Sequence, residues 1–160
     1  HGFQIWVNLP AKDKMMAPRY QDIPAADIPV AESEDGSVKV VVVAGESMGV
    51  SAVIDTVIPI TYLDVTLDDG ELIQTLDSQL NAMIYVFEGS INVGDEEVED
   101  GGFVILSEGD KVQLSGNGRC LVLAGPALDE PIARYGPFVM NTQEEIMQAI
   151  TDYQRGRLVQ

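Results

Sequence analysis

The chain holds one histidine, His1, and one cysteine, Cys120, and these two counts remove most nucleophilic chemistry at the outset. A serine or cysteine nucleophile needs a base to take its proton, and neither Ser47 nor Cys120 has an internal histidine to supply one. Cys120 sits in the apolar run Arg119-Cys120-Leu121-Val122-Leu123. It therefore reads as a buried, inert thiol of a reducing compartment, and the expected address is the cytoplasm. The acidic run Asp95-Glu96-Glu97-Val98-Glu99-Asp100-Gly101 lacks the alternating spacing that arranges oxygens around calcium, so a solvated hairpin accounts for it. Ala44-Gly45-Glu46-Ser47-Met48-Gly49 carries an acid and no following lysine, which excludes a phosphate cradle. One polar set remains. Gln4, Trp6 and Asn8 alternate and would share one face of a strand, either as ordinary solvent-facing groups or as part of a site.

Charge narrows the partners. Nine Lys and Arg stand against 26 Asp and Glu, for a formal charge of −17, and residues 40–110 hold fifteen acids without one cation. Because nucleic-acid affinity is largely counterion release by Lys and Arg, direct binding of DNA or RNA is not expected. Anionic membranes are disfavoured for the same reason, and no apolar run approaches the ~20 residues that span a bilayer. One cysteine also excludes an intramolecular disulfide. At 160 residues a fold buries roughly 68–70% of its unfolded surface, enough for a core without staples.

The elements that must carry these residues are mostly strands. Phe3, Ile5, Val7 and Leu9 alternate against Gln4, Trp6 and Asn8, predicting a strand that opens the chain. An opening inside a strand, with no initiator Met, leads to the expectation that His1 is a cleavage or expression boundary, or the start of what remains of a longer chain. Pro10, Pro18, Pro24 and Pro29 mark residues 10–37 as an extended connector. From Val38 onward, strands are expected at Val38–Ala44, Val50–Ile54, Ile60–Leu67, Leu72–Leu76, Ala82–Glu88, Ser90–Val93, Glu96–Val98, Phe103–Leu106, Lys111–Leu114 and Cys120–Ala124. That spacing indicates an all-β sandwich or barrel over residues 38–141, with Leu63, Val65 and Leu67 facing its core. Thr142-Gln143-Glu144-Glu145 is a capping box, and Ile146, Ala149, Ile150 and Tyr153 continue it as an amphipathic helix within residues 142–160.

Two long strings then carry a resemblance. His1-Gly2-Phe3-Gln4-Ile5-Trp6-Val7-Asn8-Leu9-Pro10, continued by Lys14-Met15-Met16-Ala17-Pro18-Arg19-Tyr20-Gln21, resembles a segment of the pirin family. Tyr135-Gly136-Pro137-Phe138-Val139-Met140-Asn141-Thr142 resembles the stretch before its last helix, and Tyr85-Val86-Phe87-Glu88-Gly89 lies between. Pirins are bicupins, so the resemblance implies a jelly-roll (double-stranded β-helix) barrel at 38–141, with residues 1–9 as a remnant of the N-terminal cupin.

The resemblance also implies iron, held by three histidines and a glutamate in the N-terminal barrel, upstream of this chain. Counting back from Tyr85 puts Thr75 and Asp77 where the second barrel would need paired histidines, with Asn81 near the carboxylate position. Lys111-Val112-Gln113-Leu114 stands where its further histidine would be. No metal or cofactor is expected in this chain, and no catalytic residue. Gln4 is the one substrate-pocket candidate, on the strand that would close the metal barrel. The implied activity is that of a quercetin 2,3-dioxygenase, with this chain as support and wall and not an enzyme alone. The alternative is a regulatory module that docks a transcription factor or metabolic enzyme. Residues 2–9 are expected to pair with a second copy or with a retained N-terminal half.

Overall fold

A computed structural model describes residues 2–158. Its first ladder forms inside the stretch expected as a connector. β1 (Val30–Glu32) pairs antiparallel with β2 (Val38–Ala44) across a turn that Asp35 holds together. The Asp35 carboxylate accepts from the Ser33 hydroxyl at 2.6 Å, from the Ser37 amide at 3.0 Å and from the Ser37 hydroxyl at 2.8 Å. These bonds, that from Ser33 foremost, hold its pKa down at about 2. Gly36 takes the positive φ of 75° that the turn requires.

After the short hairpin of β3 (Glu46–Ser47) and β4 (Val50–Ser51), three long strands build the barrel: β5 (Thr61–Thr75), β6 (Leu80–Val93) and β9 (Lys111–Pro126). β7 (Glu96–Glu99) and β8 (Phe103–Ile105) both pair with β6. The sheet order is β1-β2-β5-β9-β6-β7, with every pair antiparallel. Its inward side chains form one aliphatic core, with Val40, Val42, Leu63, Val65, Ile84, Ile91, Leu114 and Val122 fully buried. Leu63, Val65 and Leu67 face that core as their alternation predicts.

Each long strand was expected as two, divided at a turn signal. The structure runs through those signals because a β-bulge bends a strand without ending it. The register of β5 on β9 shifts between Leu67 and Gly70, and that of β6 on β9 between Val86 and Glu88. Gly89 and Gly118 are partners in the register of β6 on β9. A Cβ on Gly118 would lie 2.5 Å from the Glu88 carbonyl oxygen, and one on Gly89 would lie 2.5 Å from that of Asn117.

The structure contains two compact units. The barrel unit is Gln21–Ala127. The other unit joins the chain up to Tyr20 with the chain from Leu128 onward. In it, β10 (Ala133–Tyr135) and β11 (Phe138–Met140) form a hairpin against α1 (Gln143–Gln154). The Thr142 hydroxyl accepts from the Glu145 amide at 3.2 Å while the Glu145 carboxylate accepts from the Thr142 amide at 2.9 Å, the reciprocal cap that the sequence predicts. Ile146 and Ala149 are buried, and Tyr153 stacks edge-on to Phe138 at 6.0 Å. Gly156, at φ 65°, ends the helix, with its amide on the Tyr153 carbonyl and the Arg157 amide on that of Asp152. A single carboxylate, Glu130, gathers the Ala11 amide and the Asn141 side chain, each at 2.8 Å.

The opening strand is not formed. Residues 2–9 run extended without a ladder, and Ile5 and Val7 are 40% and 47% exposed on the face expected inside. Alternation prepares a strand, but a strand also needs a neighbouring edge to form a ladder with, and among the described residues this segment is in none. The first residue, His1, lies outside the described residues. Among the described residues no helix is long and apolar enough to cross a membrane.

Candidate functional site

Inside the barrel, one polar pair interrupts the aliphatic lining. Gln74 on β5 and Ser47 on β3 are 4% and 2% exposed. The Ser47 hydroxyl donates to Gln74 Oε1 at 2.7 Å, and Gln74 Nε2 donates to the carbonyls of Glu46 at 3.0 Å and Thr75 at 2.8 Å. Both amide hydrogens and the amide oxygen are thus committed to the protein. A hollow of about 510 Å³ opens beside the pair, bordered by Glu46, Met48 and Asp77. Met48 sits at the tip of the β3–β4 hairpin with φ 50°, a conformation that non-glycine residues seldom adopt.

Thr75, Asp77 and Asn81, expected at the inward ligand positions, are all exposed. The bulge between Leu67 and Gly70 reverses the parity of β5, so that inward positions are odd before it (Leu63, Val65, Leu67) and even after it (Leu72, Gln74, Leu76). On β9 the inward residues are Val112 and Leu114, while Lys111 and Gln113 face out. This donor set does not fit a transition metal, since aliphatic side chains, the internally bonded Ser47–Gln74 pair and one buried protonated thiol offer neither imidazole nor carboxylate. Among the described residues no three His, Cys, Asp or Glu side chains are gathered as a metal would need.

Cys120 is wholly buried, and burial, with a smaller push from the Asp64 charge, raises its thiol to about 12. On the opposite face of β9, Arg119 bridges neighbouring strands. Its Nη2 donates to Asp64 Oδ2 at 3.0 Å and Oδ1 at 3.3 Å, Nη1 lies 3.7 Å from Glu88, and the guanidinium covers the Phe87 ring at 4.9 Å. These contacts tie β5, β6 and β9 together and leave no cation open to a ligand there.

Gln4 lies exposed on the extended opening segment. Two residues on, Trp6 borders a groove of about 540 Å³ in the same unit, whose far wall is the β10–β11 hairpin. The sequence reading missed this groove, because its two walls are more than a hundred residues apart; the exposed Trp6 beside Lys14 was the available signal.

Residues 62–159 match the family described as the Pirin C-terminal cupin domain. The chain belongs to the pirin family. It is 38% identical to mouse pirin over 166 residues, covering 98% of this chain and 57% of that protein. A tomato pirin-like protein is 41% identical over 164 residues, covering 98% and 56%. Among solved structures, quercetin 2,3-dioxygenase from Acinetobacter baumannii superposes with a TM-score of 0.88 at 37% identity, over 96% of this chain and 55% of that one. The pirin chain described here thus spans a little over half the length of the curated relatives it matches. Its barrel is a cupin, as the resemblance implies, and its all-β strands agree with the sandwich or barrel expected from their spacing.

Proposed function

We propose that this chain is the C-terminal cupin half of a pirin-type protein, metal-free itself, and that it supports an N-terminal cupin whose metal oxidises flavonols. The observation that carries the reading is the 37% identity to the Acinetobacter quercetin 2,3-dioxygenase over 96% of the chain. The aliphatic interior of the barrel supports the metal-free half of the statement, since it provides no donor set for iron. In this reading residues 2–9 belong to the neighbouring barrel, with Gln4 at the wall of its substrate pocket. Their apolar side chains are covered there by the N-terminal half or, in its absence, by a second copy. The buried, unreactive Cys120 is in keeping with a cytoplasmic address.

Oxygen uptake with quercetin, measured alongside iron content, tests the proposal on the longer polypeptide and on this chain. Uptake and about one iron are expected for the former and neither for the latter; one iron per copy of the 160-residue chain would overturn it.

A second reading rests on charge. Up to Tyr20 and from Leu128 onward the chain carries six cations and six acids, whereas Gln21–Ala127 carries three cations and twenty acids. The whole net charge of −17 therefore falls on the barrel unit, which favours docking to a basic protein such as a transcription factor or a metabolic enzyme. Capture of a basic partner that weakens steeply with salt, and is unaffected by quercetin, would favour this reading.

A further inference from the structure

The groove between the opening segment and the β10–β11 hairpin departs in charge from the rest of the molecule. Leu9, Ile132 and Met140 supply apolar wall, Trp6 stands at the rim 75% exposed, and the charged lining groups are Lys14 and Arg134, with no acid among them. No carboxylate of the described residues pairs with either cation; Lys14 Nζ donates to Asn8 Oδ1 at 2.6 Å and keeps two further hydrogens. At about 540 Å³ the groove has the size and mainly apolar lining of small-molecule sites.

We propose that this groove binds a small aromatic monocarboxylate, its ring system against Trp6 and the apolar wall and its carboxylate on the Arg134 fork, with Lys14 adding charge. Three observations select that class. Two unpaired cations in an acid-free lining favour an anion, and a guanidinium matches the two oxygens of a carboxylate. The exposed indole and aliphatic wall reward a flat apolar body. The net charge of −17 repels polyanions from the molecule as a whole, so one negative charge on a mostly apolar ligand is the best compromise. The groove shares Val7 and Leu9 with the segment that the proposed function places against a second barrel, so the assignment concerns the 160-residue chain by itself, and its test reads Trp6 and residues 132–140 and not flavonol oxidation.

Trp6 is the only tryptophan, so its indole N–H gives one identifiable NMR signal in the groove itself. The 160-residue chain, labelled with ¹⁵N, is titrated with 2-naphthoate and separately with neutral 2-naphthamide. Saturable shifts of the Trp6 indole signal and of amides in residues 132–140 are expected with naphthoate, and binding of naphthamide about tenfold weaker. Arg134→Gln should remove most of that difference while leaving the signals of α1 in place. Should this variant lose its dispersed spectrum, Arg134→Lys, which keeps the charge but not the fork, is expected to weaken naphthoate several-fold. Equal binding of the two compounds, shifts outside the groove only, or full naphthoate preference retained in the folded Arg134 variant would overturn the proposal.

Discussion

Ser47 and Gln74 are 27 positions apart, yet the hydroxyl of one donates to the buried amide oxygen of the other at 2.7 Å. Removing the hydroxyl leaves Gln74 Oε1 without its donor in a residue that is 4% exposed. Ser47→Ala should therefore cost about 1–3 kcal/mol, the usual penalty of an orphaned buried acceptor. Gln74→Leu in the Ser47→Ala background should recover part of that loss, as both partners are then apolar. Urea denaturation of the four chains of the double-mutant cycle measures the coupling, and additive losses would show that the pair is not linked.

Arg119 separates two carboxylates of unequal value. Asp64 receives two hydrogen bonds and its side chain is 26% exposed, while Glu88 stands 3.7 Å away with 58% exposed. Asp64→Asn should lower stability by about 1–2 kcal/mol, and Glu88→Gln by less than about 0.5 kcal/mol, since exposed pairs are screened and lose side-chain entropy. Thermal melts at low and moderate salt compare the two, with the reverse order telling against the contact of Nη2 with Asp64.

Cys120 gives the barrel a specific alkaline weakness. Its thiol titrates near its ordinary value of 9.0 when unfolded but at about 12 in the fold. The unfolded chain therefore loses this proton first as pH rises. The stabilising contribution is complete below pH 9 and is progressively lost toward pH 12. Relative to wild type, Cys120→Val should show a shallower fall of stability over that window. Iodoacetamide at pH 8 should label wild type only when denaturant is present, and rapid native labelling would contradict the buried thiol.

Gly118→Ala forces a methyl to within 2.5 Å of the Glu88 carbonyl oxygen, where the backbone has little freedom to retreat. A loss of about 1–3 kcal/mol is expected, as for other overpacked sites. Gly109→Ala is the control, because its added carbon meets only the Lys111 carbonyl oxygen at 3.9 Å. Chemical denaturation of both variants checks the contrast.

Local signals were readable where one rule governed a whole element. The Thr142 cap, the buried Ile146 and Ala149, and the run Leu63, Val65, Leu67 follow directly from spacing. The inward positions beyond Leu67 did not, because a bulge is a long-range event. Whether Asp68-Asp69-Gly70 turns the chain or merely bends it depends on β9 continuing alongside, and that decision moved Thr75 and Asp77 from inside to outside. Residues 2–9 failed in the opposite sense: their pattern is sound, but pairing needs a partner edge. The groove was the least readable feature, since Trp6 and Arg134 come to line one hollow only through the fold of their unit.

The scarcity of cations has a practical side. Trypsin cuts after Lys and Arg, and between Lys39 and Lys111 it has no bond to attack, even in the unfolded chain. Lys39 and Arg119 are held inside ladders, and Lys111 opens β9. The bonds after Lys12, Lys14 and Arg19, in contrast, lie in the segment that precedes the sheet. Brief digestion should thus trim the opening twenty or so residues, the Trp6 fluorophore with them, while the bonds after Lys39, Lys111 and Arg119 open only when the ladders do. Trypsin therefore releases residues 40–111 as a single piece, and following unfolding within that stretch takes an enzyme that cleaves after glutamate.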